Sequence, residues 1–286
     1  MIVVTGASGQ VGRLVATELA GRAGDLRLVV RDPARAPDVP GAEVVAADYG
    51  DPESLARALH PGDRVFMVSI HDGPERRLPL HRGLVEAAAE RRVAQVVYMS
   101  FVNAGLEATF LDGRSDGETE RMLAAAGVPF TAIRNSMYAD EIPGWFDPEG
   151  VIRVPGGEGR MSFSYRPELA RAIAVALTTP GREGRVYDVT TPQSVSMWEL
   201  ARIATAVTGD VYRYQPYDEV HWLDRWRSRG RPDWAIEAGL TSYAALREGE
   251  FDVVGDGYQV LTGAEPLTVA ELISGMADQM PLAGRR

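Results

Sequence analysis

Along the first half of the chain, short apolar runs alternate with longer stretches whose apolar residues recur every three or four positions. The runs are Ile2–Thr5, Leu26–Val30, Glu43–Ala47, Arg64–Val68, Gln95–Ser100 and Phe130–Arg134. Each reads as apolar on both faces, which is what a parallel strand covered by helices on two sides requires. Between them the helical period predicts helices at Gly12–Gly21, Pro52–Leu59, Leu78–Arg92 and Gly117–Ala126. Asp51 is positioned to cap the second with Pro52 in its first turn, and Gly127 closes the fourth. Strand and helix in alternation, joined by right-handed crossovers, predict an α/β fold built on a doubly wound parallel sheet.

Past Arg134 the pattern changes to Pro- and Gly-rich loops, with a helix at Pro167–Leu177, a strand at Arg185–Thr190 and a helix at Met197–Val207. Trp145, Trp198, Trp222, Trp226 and Trp234 all fall in this half. No low-complexity linker intervenes. The expected organisation is therefore a sheet-forming core over residues 1–134 and a smaller C-terminal α/β lobe over residues 135–286, packed on the core, with strands able to return to the core sheet. The cleft between the two is where small-molecule sites tend to lie.

Directly after the first run comes Thr5-Gly6-Ala7-Ser8-Gly9-Gln10-Val11-Gly12, at the strand-to-helix position where a dinucleotide-binding turn belongs. Gly6 allows the tight turn, Gly9 lets a pyrophosphate approach the backbone, and Gly12 lets the helix pack closely. The free N–H groups and the helix dipole then face the phosphates. The candidate cofactor residues of this turn are Gly6, Ser8, Gly9, Gln10, Val11 and Gly12, and the sheet is accordingly of the Rossmann type.

The end of the second strand bears on which dinucleotide. An acidic residue there accepts the ribose hydroxyls of NAD, whereas an arginine accommodates the 2′-phosphate of NADP. Val30-Arg31-Asp32-Pro33 offers both. Arg31 comes first and Arg35 is near, so NADPH is the expected cofactor and NADH the second choice. Asp48 either reaches the adenine amine or caps the turn that follows it.

Composition narrows the partners. The 286 residues suit one large domain or a domain with a lobe, and there is no cysteine, which removes thiolate nucleophiles, cysteine-based metal sites and disulfides. The net charge is −10, so binding to nucleic acid or to an anionic membrane has little electrostatic support. No apolar run approaches a membrane span, and no signal-like segment precedes Met1-Ile-Val-Val-Thr-Gly, so the cytoplasm is the expected compartment. The four histidines are scattered, without a pair at metal-ligand spacing, and no metal site is expected. The expected partner is a small flat or aromatic substrate, and a homodimer is held open.

Together with this turn, Val30-Arg31-Asp32-Pro33, Ala47-Asp48-Tyr49-Gly50-Asp51, Thr119-Glu120-Arg121-Met122-Leu123, Ile133-Arg134-Asn135 with Tyr138, and Leu261-Thr262-Gly263-Ala264-Glu265-Pro266 give a chain that resembles the NmrA-like family of atypical short-chain dehydrogenases/reductases. The resemblance implies that Ser69 and the Ser100-Phe101 pair line the cofactor. It also implies that Asn135 to Tyr138 border the nicotinamide. It exposes one departure. Typical short-chain dehydrogenases pair a tyrosine with a lysine, and all 30 cations here are arginine, so no such pair exists. Where relatives carry that lysine this chain has Arg121, which stays protonated and is no base near neutral pH. Arg121 either binds a ribose or substrate oxygen or forms a surface ion pair with Glu118 or Glu120.

Without that pair, an acceptor whose reduced form is a weak base is favoured, which means a quinone or an iminium over a simple ketone. Tyr138, Ser100 and His81 are the candidate catalytic groups, with His71 a second histidine near the cleft. Met137, Tyr138, Trp145 and Phe146, with Trp222 and Trp226 at helical spacing, form either an apolar substrate wall or plain core. Two functions stand. The first is an NADPH-dependent reductase of a quinone, imine or related conjugated acceptor, working without flavin. The second is a non-catalytic NADP(H)-responsive regulator, favoured by the missing lysine. A cavity near the nicotinamide end favours the first, and one plugged by Phe101 or Met137 the second.

Overall fold

A computed structural model describes residues 1–22 and 24–281 of the chain. The six predicted runs all form strands: β1 Ile2–Thr5, β2 Leu26–Val30, β3 Glu43–Ala46, β4 Arg64–Met67, β5 Gln95–Phe101 and β6 Phe130–Asn135. They lie parallel in the order β3-β2-β1-β4-β5-β6, with Val186–Asp188 added beyond β6. This is the doubly wound order whose connections reverse between β1 and β4, and the crevice beyond that reversal is where ligands of such sheets bind.

Helices α1 (Gln10–Leu19) and α5 (Arg166–Thr178) cover one face, where Val11, Val15, Leu19, Leu169, Ile173 and Leu177 join the inner residues of the sheet. Helices α2 (Pro52–Ala58), α3 (Pro74–Glu90) and α4 (Leu111–Ala125) cover the other through Leu55, Leu84, Val85, Met122 and Leu123. Asp51 caps α2 as expected, its Oδ1 accepting from the N–H groups of Glu53 and Ser54.

Four expectations need correction. β3 is an edge strand with exposed positions, so it is not covered on both faces. The strand expected in the lobe as Arg185–Thr190 is the shorter Val186–Asp188, and it pairs with β6 in the main sheet. α3 starts at Pro74 and runs through Pro79, whose place inside a helix argued for a later start. α4 starts at Leu111, six residues before the predicted Gly117, because its opening turns carry the weak helix formers Gly113, Ser115 and Gly117. Gly117 serves packing, since a Cβ there would lie 2.6 Å from the backbone of Gly105.

The remaining segments build a second core around Phe146, Ile152, Phe163, Leu200, Tyr214, Phe251 and Leu272. Its helices are α6 (Met197–Thr208), α7 (Glu219–Ser228), α8 (Asp233–Glu248) and α10 (Val269–Gly275), while α9 (Gly257–Thr262) sends Tyr258 and Leu261 back to the first core. Three two-stranded ladders brace it, one of them Met137–Tyr138 against Phe163–Ser164. α6 begins with a reciprocal cap between Ser196 and Glu199 and ends at Gly209 in the left-handed conformation. Among the described residues no helix is long and apolar enough to cross a membrane.

Candidate cofactor and substrate site

The turn after β1 is shaped by three glycines with different tasks. Gly6 has φ +59°, and a Cβ on it would sit 2.4 Å from Cγ1 of Val68, just past β4. Gly12 packs on the turn itself, where a Cβ would meet the Gly6 carbonyl oxygen at 2.2 Å. A Cβ on Gly9 would touch only that oxygen, at 3.3 Å, so its space lies toward solvent. The Gly9 N–H closes the turn onto the Gly6 carbonyl at 2.9 Å. No side chain caps α1 and no acid stands in its first turn, which leaves a helix N-terminus ready for an anion. Gln10 is exposed, Ser8 is half-buried, and Val11 is buried in the core, so only its backbone N–H can face a ligand. These residues fit a dinucleotide pyrophosphate.

Beyond β2, Arg31 and Arg35 are both exposed. Asp32 is engaged locally, its Oδ1 accepting from the Ala34 N–H at 3.0 Å to cap the turn Pro33–Arg35. A third guanidinium joins them: Arg13 reaches across from α1 and donates to the Arg35 carbonyl at 3.2 Å. Sequence reasoning missed Arg13, although a signal was there, because a cation in the first turn of a helix opposes the dipole. Asp48 takes the local role, its Oδ1 accepting from Gly50 N–H at 2.8 Å.

Ser69 and His81 belong to a buried polar layer between the sheet and the α3–α4 face. Ser69 Oγ accepts from Arg77 Nη2 at 2.5 Å and donates to Asp116 Oδ1 at 3.0 Å. Tyr98 also donates to Asp116, and Arg77 reaches Asp112 at 3.1 Å. Burial lifts the Asp116 carboxyl above its ordinary value and the Arg77 guanidinium draws it back. His81 has both ring nitrogens occupied: Nε2 accepts from Ile70 N–H at 3.1 Å, so Nδ1 carries the proton and faces Thr119 Oγ1 at 2.9 Å. Burial and then the Arg77 charge push its pKa down to about 3. His81 is therefore a neutral histidine whose two ring nitrogens are both held by neighbours, so it does not supply the protonated imidazolium that its expected catalytic role requires. His71 is exposed and packs edge-on against Trp234.

At the carboxyl ends of β5 and β6, Ser100 donates to Glu120 at 2.6 Å, and Glu120 is held by Arg134 at 2.7 and 2.9 Å. Ser100 is buried, so its hydroxyl is committed to this trio and is not a free catalytic group. Arg121 is on the surface, in a two-pronged ion pair with Glu118. Phe101 turns into the lobe, stacked edgewise with Phe110 and Phe251, so its side chain lines no cofactor crevice. Asn135 is buried and bonds the Ser136 carbonyl at 2.9 Å.

Tyr138 lies under Arg166, whose guanidinium sits 3.8 Å from the ring centre and is itself paired with Asp140 and Glu141. Among the described residues its hydroxyl bonds only the Met99 sulfur, at 4.0 Å, and burial pushes its pKa up to about 12. Met137 points the other way, into a cavity of about 530 Å³ whose walls include Trp145, Phe146, Trp222 and Trp226. The two α7 tryptophans stack at 4.5 Å. Five of the six apolar residues expected to form a wall thus meet in one cavity, and Tyr138 is the one left out. Among the described residues no cluster of His, Asp and Glu is placed to hold a metal.

A family model described as NAD(P)H-binding matches residues 6–180. Quinone oxidoreductase 2 of Escherichia coli is 29% identical over 282 residues, covering 96% of this chain and 98% of that protein. Its crystal structure with NADPH superimposes with a TM-score of 0.88 at 28% identity, covering 97% and 100% of the two chains. The triphenylmethane reductase of a Citrobacter species, solved with NADP(H), gives 0.85 at 27% identity over 95% and 99%. An NmrA-like family domain-containing oxidoreductase of Aspergillus flavus is 30% identical over 231 residues, covering 77% of this chain and 75% of that one. With this span matched and the glycine turn intact, the chain belongs to the NAD(P)H-binding family, among relatives that include NmrA-like oxidoreductases.

Proposed function

We propose that the protein is an NADPH-dependent reductase that delivers hydride to a quinone, imine or related conjugated small molecule without flavin. The observation that carries this reading is the aromatic-walled cavity that includes Met137, two residues past the carboxyl end of β6, a strand of the same parallel sheet as β1. NADPH, when bound, supplies the hydride. The uncapped N-terminus of α1 would hold the pyrophosphate, and Arg13, Arg31 and Arg35 would hold the 2′-phosphate. The engagement of Asp32 in its own turn supports NADPH over NADH.

The chain's own groups favour an acceptor that needs little acid. Ser100, His81 and Arg121 are committed to neighbours, and Tyr138 keeps its proton across the neutral range. A quinone or iminium becomes a weak base or a neutral amine on taking hydride, so positioning matters more than proton donation. Phe101 stays in the lobe core and does not plug the cavity, whereas Met137 lines it. The relatives named as quinone and triphenylmethane reductases support the same class.

The test is NADPH consumption by the purified, flavin-free protein against a panel of quinones, cyclic imines and simple ketones. Turnover of the first two classes with little of the third is expected. Tight NADPH binding with no consumption by any acceptor overturns the reading in favour of a regulator.

A further inference from the structure

The walls of the 530 Å³ cavity carry charges that do not balance. Its two acids are neutralised within the protein: Asp147 pairs with Arg153, and Glu141 pairs with Arg166. Arg225, half-buried in the last turn of α7, and the exposed Arg229 at its C-cap stand four residues apart and line the same cavity. Neither has a carboxylate within ion-pair distance among the described residues. The acids at the start of α7 are taken, Asp218 by His221 and Glu219 by Arg247. Asp224 is exposed and, one residue from Arg225 on the helix, does not share its face. Arg231 is held over the Trp226 ring at 5.5 Å. A helix C-terminus tolerates cations, which explains why arginines can stand there but not why two of them face an aromatic cavity.

We propose that this cavity selects a conjugated acceptor bearing an anionic substituent, a carboxylate, sulfonate or phosphate, which Arg225 and Arg229 bind while the ring meets the tryptophan wall. The proposal rests on reading the cavity as the acceptor site. In a molecule of net charge −10, a local pair of free guanidiniums is what makes an anionic substrate acceptable. The planar fork of arginine matches all three oxyanions.

Calorimetric titration of the full chain separates this proposal from turnover, using naphthoate, naphthalene sulfonate and naphthyl phosphate against the neutral naphthalene sulfonamide. At least one anion is expected to bind about tenfold more tightly than the sulfonamide, and the preferred one identifies the substituent. In the double variant Arg225→Gln/Arg229→Gln the preference is expected to vanish while sulfonamide binding stays. A wild-type protein that binds the sulfonamide as tightly as every anion overturns the proposal, and so does a variant that weakens all four ligands equally. If the anions are preferred but no quinone or imine consumes NADPH, the reductase reading fails and the site stands. If naphthoquinone is reduced without any anion preference, the reverse holds.

Discussion

The proposed roles of Arg13, Arg31 and Arg35 in the cofactor choice are measurable one residue at a time. A charge-assisted contact to a phosphate contributes on the order of 1.5–3 kcal/mol, hence about 10- to 150-fold in affinity. Arg31→Ala is expected to weaken NADPH by at least the lower figure and leave NADH unchanged, as dissociation constants for both will record. An unchanged NADPH-to-NADH ratio contradicts the assignment. Tyr138→Phe removes a hydroxyl that, among the described residues, hydrogen-bonds only a sulfur, and the expected fall in quinone turnover is roughly tenfold or less, against about 10²–10⁴ for an essential general acid. His81 yields a pH prediction. Its pKa falls from 6.5 to about 3 on folding, so between those values the unfolded chain binds a proton that the folded one does not. Stability is therefore lost as pH falls from 6.5 toward 3, with a slope of up to about 1.4 kcal/mol per pH unit, and is unaffected by this group above 6.5. Denaturant melts of the wild type and His81→Gln across that range are expected to show a shallower acid slope in the variant; parallel slopes contradict it. The tight turn at Gly6 and the close packing at Gly12 were legible in the sequence because each is decided next to its own element. The sequence could not say that His81 meets Thr119 or that Ser100 meets Glu120, since those partners come from a helix packed later in the chain.

At the scale of elements, the glycine turn separates binding from folding. Gly12→Ala drives a methyl group to 2.2 Å from the Gly6 oxygen, so α1 must move off the turn, and a loss of about 1–3 kcal/mol is expected in thermal or denaturant melts. A Cβ on Gly9 meets one atom among the described residues, at 3.3 Å, so Gly9→Val should fold nearly as well. Its melting temperature, unlike that of the wild type, should not rise with added NADPH, because the valine occupies the space a pyrophosphate needs. Equal stabilisation of both proteins by NADPH would remove Gly9 from the site. The interior strands were readable to within a residue or two because a run apolar on both faces has few alternatives. Where neighbours decide, the pattern failed. β3 has the residues of an inner strand and an edge strand's exposure, and the first turns of α4 are helical because they pack beneath the loop around Gly105 despite poor propensity.

At the scale of the molecule, the chain leaves the sheet after β6, builds part of the lobe, returns through α5 and Val186–Asp188, and leaves again. A long-range return of this kind leaves no local signature, which is why a boundary at residue 134 captures the change of pattern but not the path. The path matters for the proposed function, since it hangs the aromatic cavity from the same sheet that carries the glycine turn. Whether the two halves work as one site is tested most directly by a single-turnover experiment. Flavin-free protein in excess is loaded with NADPH and mixed with naphthoquinone, and the loss of NADPH absorbance is followed with protiated and with C4-deuterated cofactor. The expected result is a rapid, isotope-sensitive decay with the wild type that is absent in Gly9→Val. A decay no faster than that of NADPH and naphthoquinone mixed without protein, although NADPH stabilises the protein against heat, would contradict hydride transfer at this site.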